Sequence, residues 1–219
     1  PATSAMGKRS RNGMTLTMNQ TVMDWPTHLQ PQSFLGPDRL SRASEKGAKA
    51  AEIIEHFQVL DRLAQYDPVI AGTLPIPLDT PESDVDILCH VSDLMAFKTF
   101  ADQTFSDLDK YRVHMRAPTD HVSEAVVVRF ECDGLPIEIF ATDYPTITQY
   151  GFVHMLVEAR ILWLMGNDFS QDVMALKQDG VKTEPAFAQM LGLVGDPYIA
   201  LAELAALSPT ELRTRLKMI

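Results

Sequence analysis

Apolar residues recur along this chain with two spacings, one typical of helices and one typical of strands. A spacing of three to four residues predicts an amphipathic helix over residues 44–64, and a second helix follows Ser92 and Asp93, whose side chains offer N-cap oxygens. The pair Asp133-Gly134 predicts a tight hairpin. Alternating or continuous apolar runs predict strands at residues 67–71, 85–89, 111–116, 125–132 and 135–140.

From residue 149 onward the pattern is helical. One apolar face carries Phe152, Met155 and Trp163, which we assign to the core. Ser208 opens the last predicted helix with the spacing of a capping box. Shorter helices are predicted at residues 169–178, 185–191 and 197–206.

The order of these elements predicts an α/β fold in three parts. Residues 1–43 lack sustained periodicity and are predicted to form a poorly ordered N-terminal extension. Residues 44–144 would form the α/β core, and residues 145–219 a helical region that packs on it.

The net charge of the chain disfavours some classes of binding partner. The formal net charge is −10, from 19 basic and 29 acidic residues, which disfavours a broad nucleic-acid surface. The basic residues Lys8, Arg9 and Arg11 are interpreted as a solvated tail, with a nucleic-acid contact as the alternative. A small nucleotide stays compatible with this charge, because a bound metal ion inverts the local field.

No segment predicts contact with a membrane. The apolar run at residues 69–78 is too short and too rich in proline to span a bilayer, and the N-terminus lacks a signal-peptide pattern, so we expect a cytoplasmic location. Cys89 and Cys132 lie in apolar, strand-like runs and are predicted to be buried, reduced thiols.

Three acidic residues stand where the pattern would otherwise be apolar. Asp84 and Asp86 are two residues apart on a predicted strand, so their side chains leave the same face and repel each other. A hard divalent cation such as Mg²⁺ (or Mn²⁺) is the natural occupant of such a pair. Glu138 lies between Ile137 and Ile139 and would complete a cage of three carboxylates from a neighbouring strand.

A turn at Gly72-Thr73 precedes these carboxylates, and ten residues separate Thr73 from Asp84. A strand-ending Gly-Ser or Gly-Thr, Asp-x-Asp and a later acidic strand together resemble the signature of the nucleotidyltransferase superfamily, with its DNA polymerase beta-like fold. Most of the chain also resembles a small bacterial family classed only as a domain of unknown function. The phrases that carry this second resemblance are GTLPIPLDTPESDVDILC, GLPIEIFATDYP, HMLVEARIL and KTEPAFAQMLGLVGDPY.

The resemblance implies a mixed-sheet nucleotidyltransferase core and Mg²⁺-dependent transfer of a nucleoside monophosphate from a nucleoside triphosphate to an unknown hydroxyl acceptor. Asp84 and Asp86 would hold metal ions, and Glu138 would complete the second metal site and help deprotonate the acceptor. The triphosphate would lie at Gly72 and Thr73. Thr73 stands where serine is usual, and it keeps the hydroxyl group.

Other polar residues are secondary candidates for the site. Ser83 would add a lesser nucleotide contact, and Lys182 would reach the triphosphate unless it only caps a helix. His154 and Glu158 share a helix face, where a structural polar pair is the preferred interpretation over orientation of an acceptor. Arg129 is a weak candidate for a phosphate contact.

Two alternatives to the enzyme stay open. A nucleotide-sensing or partner-binding protein would keep the same fold without turnover, since fold alone does not define function. A nucleic-acid-modifying toxin or tRNA nucleotidyltransferase would need a basic track, which the net charge of −10 disfavours.

Overall fold

The structure is a computed structural model that describes residues 25–119 and 122–217. Its strands are β1 Val69–Ala71, β2 Val85–His90, β3 Asp109–Arg116, β4 Ala125–Cys132 and β5 Leu135–Thr142. Its α-helices are α1 Asp38–Ala43, α2 Glu45–His56, α3 Val59–Arg62, α4 Leu94–Phe105, α5 Tyr150–Met165, α6 Asn167–Gln178, α7 Thr183–Met190, α8 Pro197–Ala205 and α9 Pro209–Lys217. Short 3-10 turns lie at Thr27–Leu29, Pro31–Phe34, Ala64–Tyr66 and Thr146–Thr148.

The strands form one five-stranded sheet in the order β1-β2-β5-β4-β3. Strands β2 and β5 pair in parallel, and the other neighbours pair antiparallel, so the predicted mixed α/β sheet is confirmed. The hairpin between β4 and β5 turns at Asp133 and Gly134, with φ of 48° and 78°. Both residues take the left-handed conformation that a tight hairpin requires, as the Asp-Gly pair predicts.

The two faces of the sheet are buried by different helices. On one face, Val85, Ile87 and Cys89 of β2 pack with Phe97 of α4. On the opposite face, Leu88 belongs to a second core that includes the C-terminal helices. Asp86 shares this second face because it is two residues from Leu88. The helical C-terminal region therefore covers the face that carries the predicted site.

Residues 25–43 correct the prediction of a poorly ordered extension. Trp25, Leu29, Phe34 and Leu40 are all buried. The Phe34 ring packs edge-on against Phe152 of α5, with 6.4 Å between the ring centroids. The spacing of these apolar residues follows neither a helix nor a strand period. Tertiary contacts with two different core clusters bury them, so the spacing gives no local signal. Lys8, Arg9 and Arg11 lie outside the described residues.

The assignment of Trp163 to the core is wrong. Its side chain is 46% exposed, whereas Phe152 and Met155 on the same helix are buried as predicted. Trp163 lies near the end of α5, where its ring meets His28 edge-on, with 6.3 Å between the centroids.

Other local predictions are confirmed. Cys89 and Cys132 are buried and free of disulfides. The capping box forms, since the Ser208 backbone N–H donates to the Glu211 carboxylate and the Glu211 N–H donates to the Ser208 hydroxyl. None of the helices in the described part of the chain combines the length and the apolar character that crossing a bilayer requires.

Candidate active site

A polar row crosses the centre of the sheet on the face covered by the C-terminal helices. Asp86 of β2 is paired in register with Glu138 of β5, and Glu138 is paired with Arg129 of β4. Arg129 is paired in turn with Arg112 of β3. Residues paired across neighbouring strands project from the same face, so the register places two carboxylates and then two guanidinium groups side by side.

The turn after β1 fits closely against Asp86. Gly72 has φ of +78°, a left-handed conformation that favours glycine. A Cβ atom on Gly72 would lie 2.1 Å from Oδ2 of Asp86, which no side chain could satisfy without displacing that carboxylate. The predicted Gly72 turn and the Asp86 carboxylate are therefore adjacent in the fold.

Internal hydrogen bonds shape the loop from Gly72 to Asp84. The carbonyl oxygen of Thr73 accepts hydrogen bonds from the N–H groups of Ile76 and Leu78, each at 3.2 Å. The Ser83 hydroxyl accepts a hydrogen bond from the Thr80 N–H at 2.9 Å. Ser83 thus forms the turn that leads into Asp84, a role the sequence did not predict.

Two basic residues from the N-terminal helices hold the same loop. Lys46 of α2 donates hydrogen bonds to three carbonyl oxygens, those of Thr80, Pro81 and Ser83, at 2.9, 2.9 and 2.6 Å. Arg39 of α1 donates to the carbonyl oxygen of Pro75 at 3.0 Å. Both contacts join residues more than thirty positions apart, so no local sequence signal could have revealed them.

The negative charge of the Asp86 carboxyl group is only partly balanced by neighbouring basic groups. Burial raises its pKa well above the usual range, and the charges of Asp84, Glu138 and Glu184 raise it further, against a weaker opposing effect of Arg129. A cation bound beside Asp84 and Asp86 would relieve this repulsion. Both side chains are partly exposed, and their oxygen donors suit a hard divalent ion.

Glu138 is less free than the sequence predicts. The Arg129 Nε donates to Oε2 of Glu138 at 2.6 Å, and a terminal nitrogen of the same guanidinium contacts the same oxygen. Within the described residues, no three His, Cys, Asp or Glu side chains gather closely enough to hold a metal ion. Asp84 and Asp86 therefore fit a metal as a pair, whereas Glu138 offers only its Oε1 atom beyond the Arg129 contact.

The C-terminal helices bring a second polar group to this face. Gly151 of α5 approaches Leu88, and a Cβ there would lie 3.3 Å from the Leu88 Cδ2 atom. His154 and Glu158 follow on the same side of α5, at the third and seventh positions after Gly151. Both are buried, at 4% and 3% exposure. Both residues are thus buried, as the interpretation of a structural polar pair expects. No hydrogen bond joins His154 to Glu158 in the described part of the chain.

Glu184 of α7 and Lys177 of α6 complete this polar group. The His154 Nδ1 lies 3.5 Å from Oε1 of Glu184, and the His154 Nε2 lies 2.9 Å from the Tyr198 carbonyl oxygen. Lys177 donates to the Thr183 hydroxyl at 3.0 Å. Burial lowers the pKa of Lys177, opposed by four carboxylates, those of Glu158, Glu184, Asp79 and Asp86.

Lys182, the predicted lysine, is exposed at the N-cap of α7. Lys177 is instead the lysine whose pKa is raised by the charge of Asp86. Lys177 lies on α6, whereas Lys182 precedes α7. The packing of α6 against α7 brings Lys177 to the site.

Comparison with known proteins identifies the family. Residues 52–204 match the family described as "Domain of unknown function (DUF4269)", and the chain belongs to it. This confirms the predicted resemblance to a family of that kind. A comparison with curated proteins found no match.

Several solved structures resemble this one. They include a cytoplasmic RNA terminal U-transferase, at 16% identity and a TM-score of 0.48, with 68% of this chain and 48% of that chain covered. The Cid1 poly(U) polymerase with MgGTP bound matches at 15% identity and a TM-score of 0.46, covering 68% of this chain and 49% of that one. The polymerase core of TRAMP, an RNA surveillance complex, matches at 14% and 0.43, covering 80% and 57%. This chain spans about half the length of these proteins.

The charge of Asp86 is only partly balanced, so we expect the ionised carboxylate to lower the free energy of unfolding when no metal is bound. Because its pKa is raised in the folded state, the Asp86 carboxylate destabilises the folded protein as pH rises above the ordinary value of 3.8. We expect Asp86→Asn to raise the free energy of unfolding at pH 7 in the presence of EDTA. The gain should disappear below pH 3.8, where the wild-type side chain is protonated in both states. Urea unfolding across this pH range measures it.

Asp102→Asn is the matched control. A hydrogen bond from Lys98 lowers the pKa of Asp102, helped by another from Tyr111, so its ionised form favours the folded state. Asp102→Asn should leave the stability at pH 7 unchanged or lower it. A loss of stability in Asp86→Asn at pH 7 would contradict the account of the site.

Proposed function

We propose that the protein is a metal-dependent nucleotidyltransferase, which moves a nucleoside monophosphate from a nucleoside triphosphate such as ATP to a hydroxyl group of an acceptor. The observation that carries the proposal is the close approach of the Gly72 turn to the Asp86 carboxylate, whose pKa burial and the neighbouring charges of Asp84, Glu138 and Glu184 raise. A glycine turn next to paired carboxylates suits a triphosphate that arrives with its own divalent ion.

Asp84 and Asp86 would hold Mg²⁺ or Mn²⁺, whereas Glu138, whose Oε2 is engaged by Arg129, would keep Oε1 for the acceptor proton. Bound there, the ion would neutralise charge on the triphosphate and lower the pKa of the acceptor hydroxyl. Gly72 and Thr73 would bind the triphosphate. Ser83 would support that contact mainly by shaping the loop, and Lys182 would provide an outer contact.

In the proposed transfer, the acceptor oxygen forms a bond to the α-phosphorus while the bond from that phosphorus to the pyrophosphate oxygen breaks. The electron pair of the broken bond leaves with pyrophosphate. The hydroxyl proton passes to Oε1 of Glu138, because both contacts from Arg129 fall on Oε2. Arg129 lies on β4, on the side of Glu138 away from Asp86, so the ion pair engages Oε2 and leaves Oε1 without a contact from that guanidinium.

The same ion pair favours one alternative function. A Glu138 committed to Arg129 is less available as a metal ligand or base, which suits a protein that senses Mg-nucleotide or binds a partner without turnover. Nucleotide binding at Asp84 and Asp86 is common to the sensor and the enzyme, so only turnover separates them.

The first test is stabilisation by nucleotide. Thermal unfolding in ATP, CTP, GTP or UTP, each with and without Mg²⁺, should show a metal-dependent rise in melting temperature for at least one nucleotide. A ligand at about 100 times its Kd adds about 2.7 kcal/mol to the folded state, which moves the midpoint by several degrees. The double variant Asp84→Asn/Asp86→Asn should lose the rise. An equal rise in the double variant, or none with any nucleotide in the wild type, would refute the proposed site.

Turnover tests the role of Glu138. Glu138→Gln keeps the size of the side chain but removes the base, so we expect pyrophosphate release from the stabilising nucleotide to fall by about 10²-fold or more, with Mg-nucleotide binding retained. Glu131→Gln is the control, because Glu131 lies on β4 and also pairs with a basic residue, Lys110 at 2.6 Å. It should keep wild-type turnover. A wild type that binds Mg-nucleotide without releasing pyrophosphate would favour the sensor instead.

A further inference from the structure

The polar group on the C-terminal helices contains a carboxylate that lacks a binding partner. Glu158 is only 3% exposed, and its Oε1 atom is fully buried with no hydrogen-bond partner among the described residues. A buried acceptor left unpaired destabilises the folded state, and more so when the group is charged. The polar row of Asp86, Glu138 and Arg129 does not supply the missing partner.

The neighbours of Glu158 are already engaged elsewhere. Glu184 faces the His154 ring, and Lys177 donates to the Thr183 hydroxyl. Burial and the charge of Glu184 raise the pKa of Glu158, and Lys177 opposes this only in part. The charges of four carboxylates therefore raise the pKa of Lys177, and Glu158, which has the unpaired oxygen, is the most buried of the four.

This polar group also faces the nucleotide site. Glu158 lies on the side of α5 that crosses Leu88, two residues from Asp86 on the same strand face. The charge of Glu184 acts directly on Asp86. A group bound at Glu158 and Glu184 would thus lie near the carboxylates that hold the metal ion in the proposed function.

We propose that Glu158 and Glu184 form the acceptor site, and that the acceptor is a small molecule that carries a protonated amine near its reactive hydroxyl group. The inference rests on the proposed function, whose acceptor it specifies. An ammonium group would supply both the positive charge and the hydrogen-bond donors that Glu158 needs. The acidic surroundings and the net charge of −10 oppose a polyanionic acceptor such as RNA.

The test is calorimetric titration of the full chain with three probes, glucamine (1-amino-1-deoxysorbitol), sorbitol and a ten-nucleotide adenylate RNA. Glucamine and sorbitol share a polyhydroxylated chain and differ in the amine. We expect glucamine to bind at least tenfold more tightly than sorbitol and the RNA not to bind. Glucamine binding should also release a proton near neutral pH, because a cation favours the ionised form of Glu158. Titration in buffers with different ionisation enthalpies measures this release.

Two variants locate the site. Glu158→Gln keeps the shape of the side chain and should weaken glucamine binding at least tenfold and abolish proton release. Glu203→Gln removes an equal charge from an exposed position on α8 and should change neither. Unchanged binding in Glu158→Gln, equal binding of sorbitol, or binding of the RNA instead would overturn the inference.

The nucleotide titration separates this inference from the proposed function. A protein that shows Mg-dependent stabilisation by nucleotide but no glucamine binding refutes the amine site alone. A protein that binds glucamine through Glu158 without responding to any nucleotide keeps the cation site but refutes its role as an acceptor site. If Glu158→Gln fails to fold, the wild type still tests the inference, because glucamine that binds without releasing a proton near neutral pH would overturn it.

Discussion

The parallel pairing of β2 with β5 is the constraint on which the rest of the site depends. Its register sets Asp86 beside Glu138 on one sheet face, and the helices that cover that face prevent water from fully solvating either group. Carboxylates so placed repel one another, and the guanidinium of Arg129 pairs with Glu138 but offsets the charge of Asp86 only weakly. The pKa of Asp86 therefore stays well above its usual range. A bound cation is the simplest agent that balances the remaining charge.

The loop between Gly72 and Asp84 links this chemistry to the N-terminal helices. Proline fixes only some of the dihedral angles of this loop, so further contacts are needed to hold the glycine turn against Asp86. Lys46 and Arg39 supply these contacts by bonding to four of the loop's carbonyl oxygens. The segment from Trp25 to Ala43 is in turn anchored on α5, where Arg160 donates to the Leu29 carbonyl and lies over the Trp25 ring. Elements distant in sequence therefore act together to position two aspartates.

Much of this architecture could be predicted because it is local. Period and turn chemistry identified the strands, the Asp-Gly hairpin and the capping box. Asp86 lies on a strand as predicted, but Asp84 precedes β2, which begins at Val85. Sequence could not reveal interactions that exist only after tertiary packing. The Arg129 contact to Glu138 depends on strand register, Lys177 reaches the site through the packing of α6 on α7, and the burial of Phe34 depends on α5. Trp163 followed the apolar pattern of its helix but lies near the end of α5, with nearly half of its side chain exposed.

The proposed function requires Asp84 and Asp86 to bind the metal of a metal-nucleotide complex. A crystal structure with Mn²⁺ and a non-hydrolysable nucleoside triphosphate analogue is the decisive experiment, because Mn²⁺ is located independently by its anomalous scattering. We expect an anomalous peak between the carboxylates of Asp84 and Asp86, with triphosphate oxygens bound to the Gly72-Thr73 turn. A nucleotide bound elsewhere, or bound at that turn with no Mn²⁺ at the two aspartates, would contradict it.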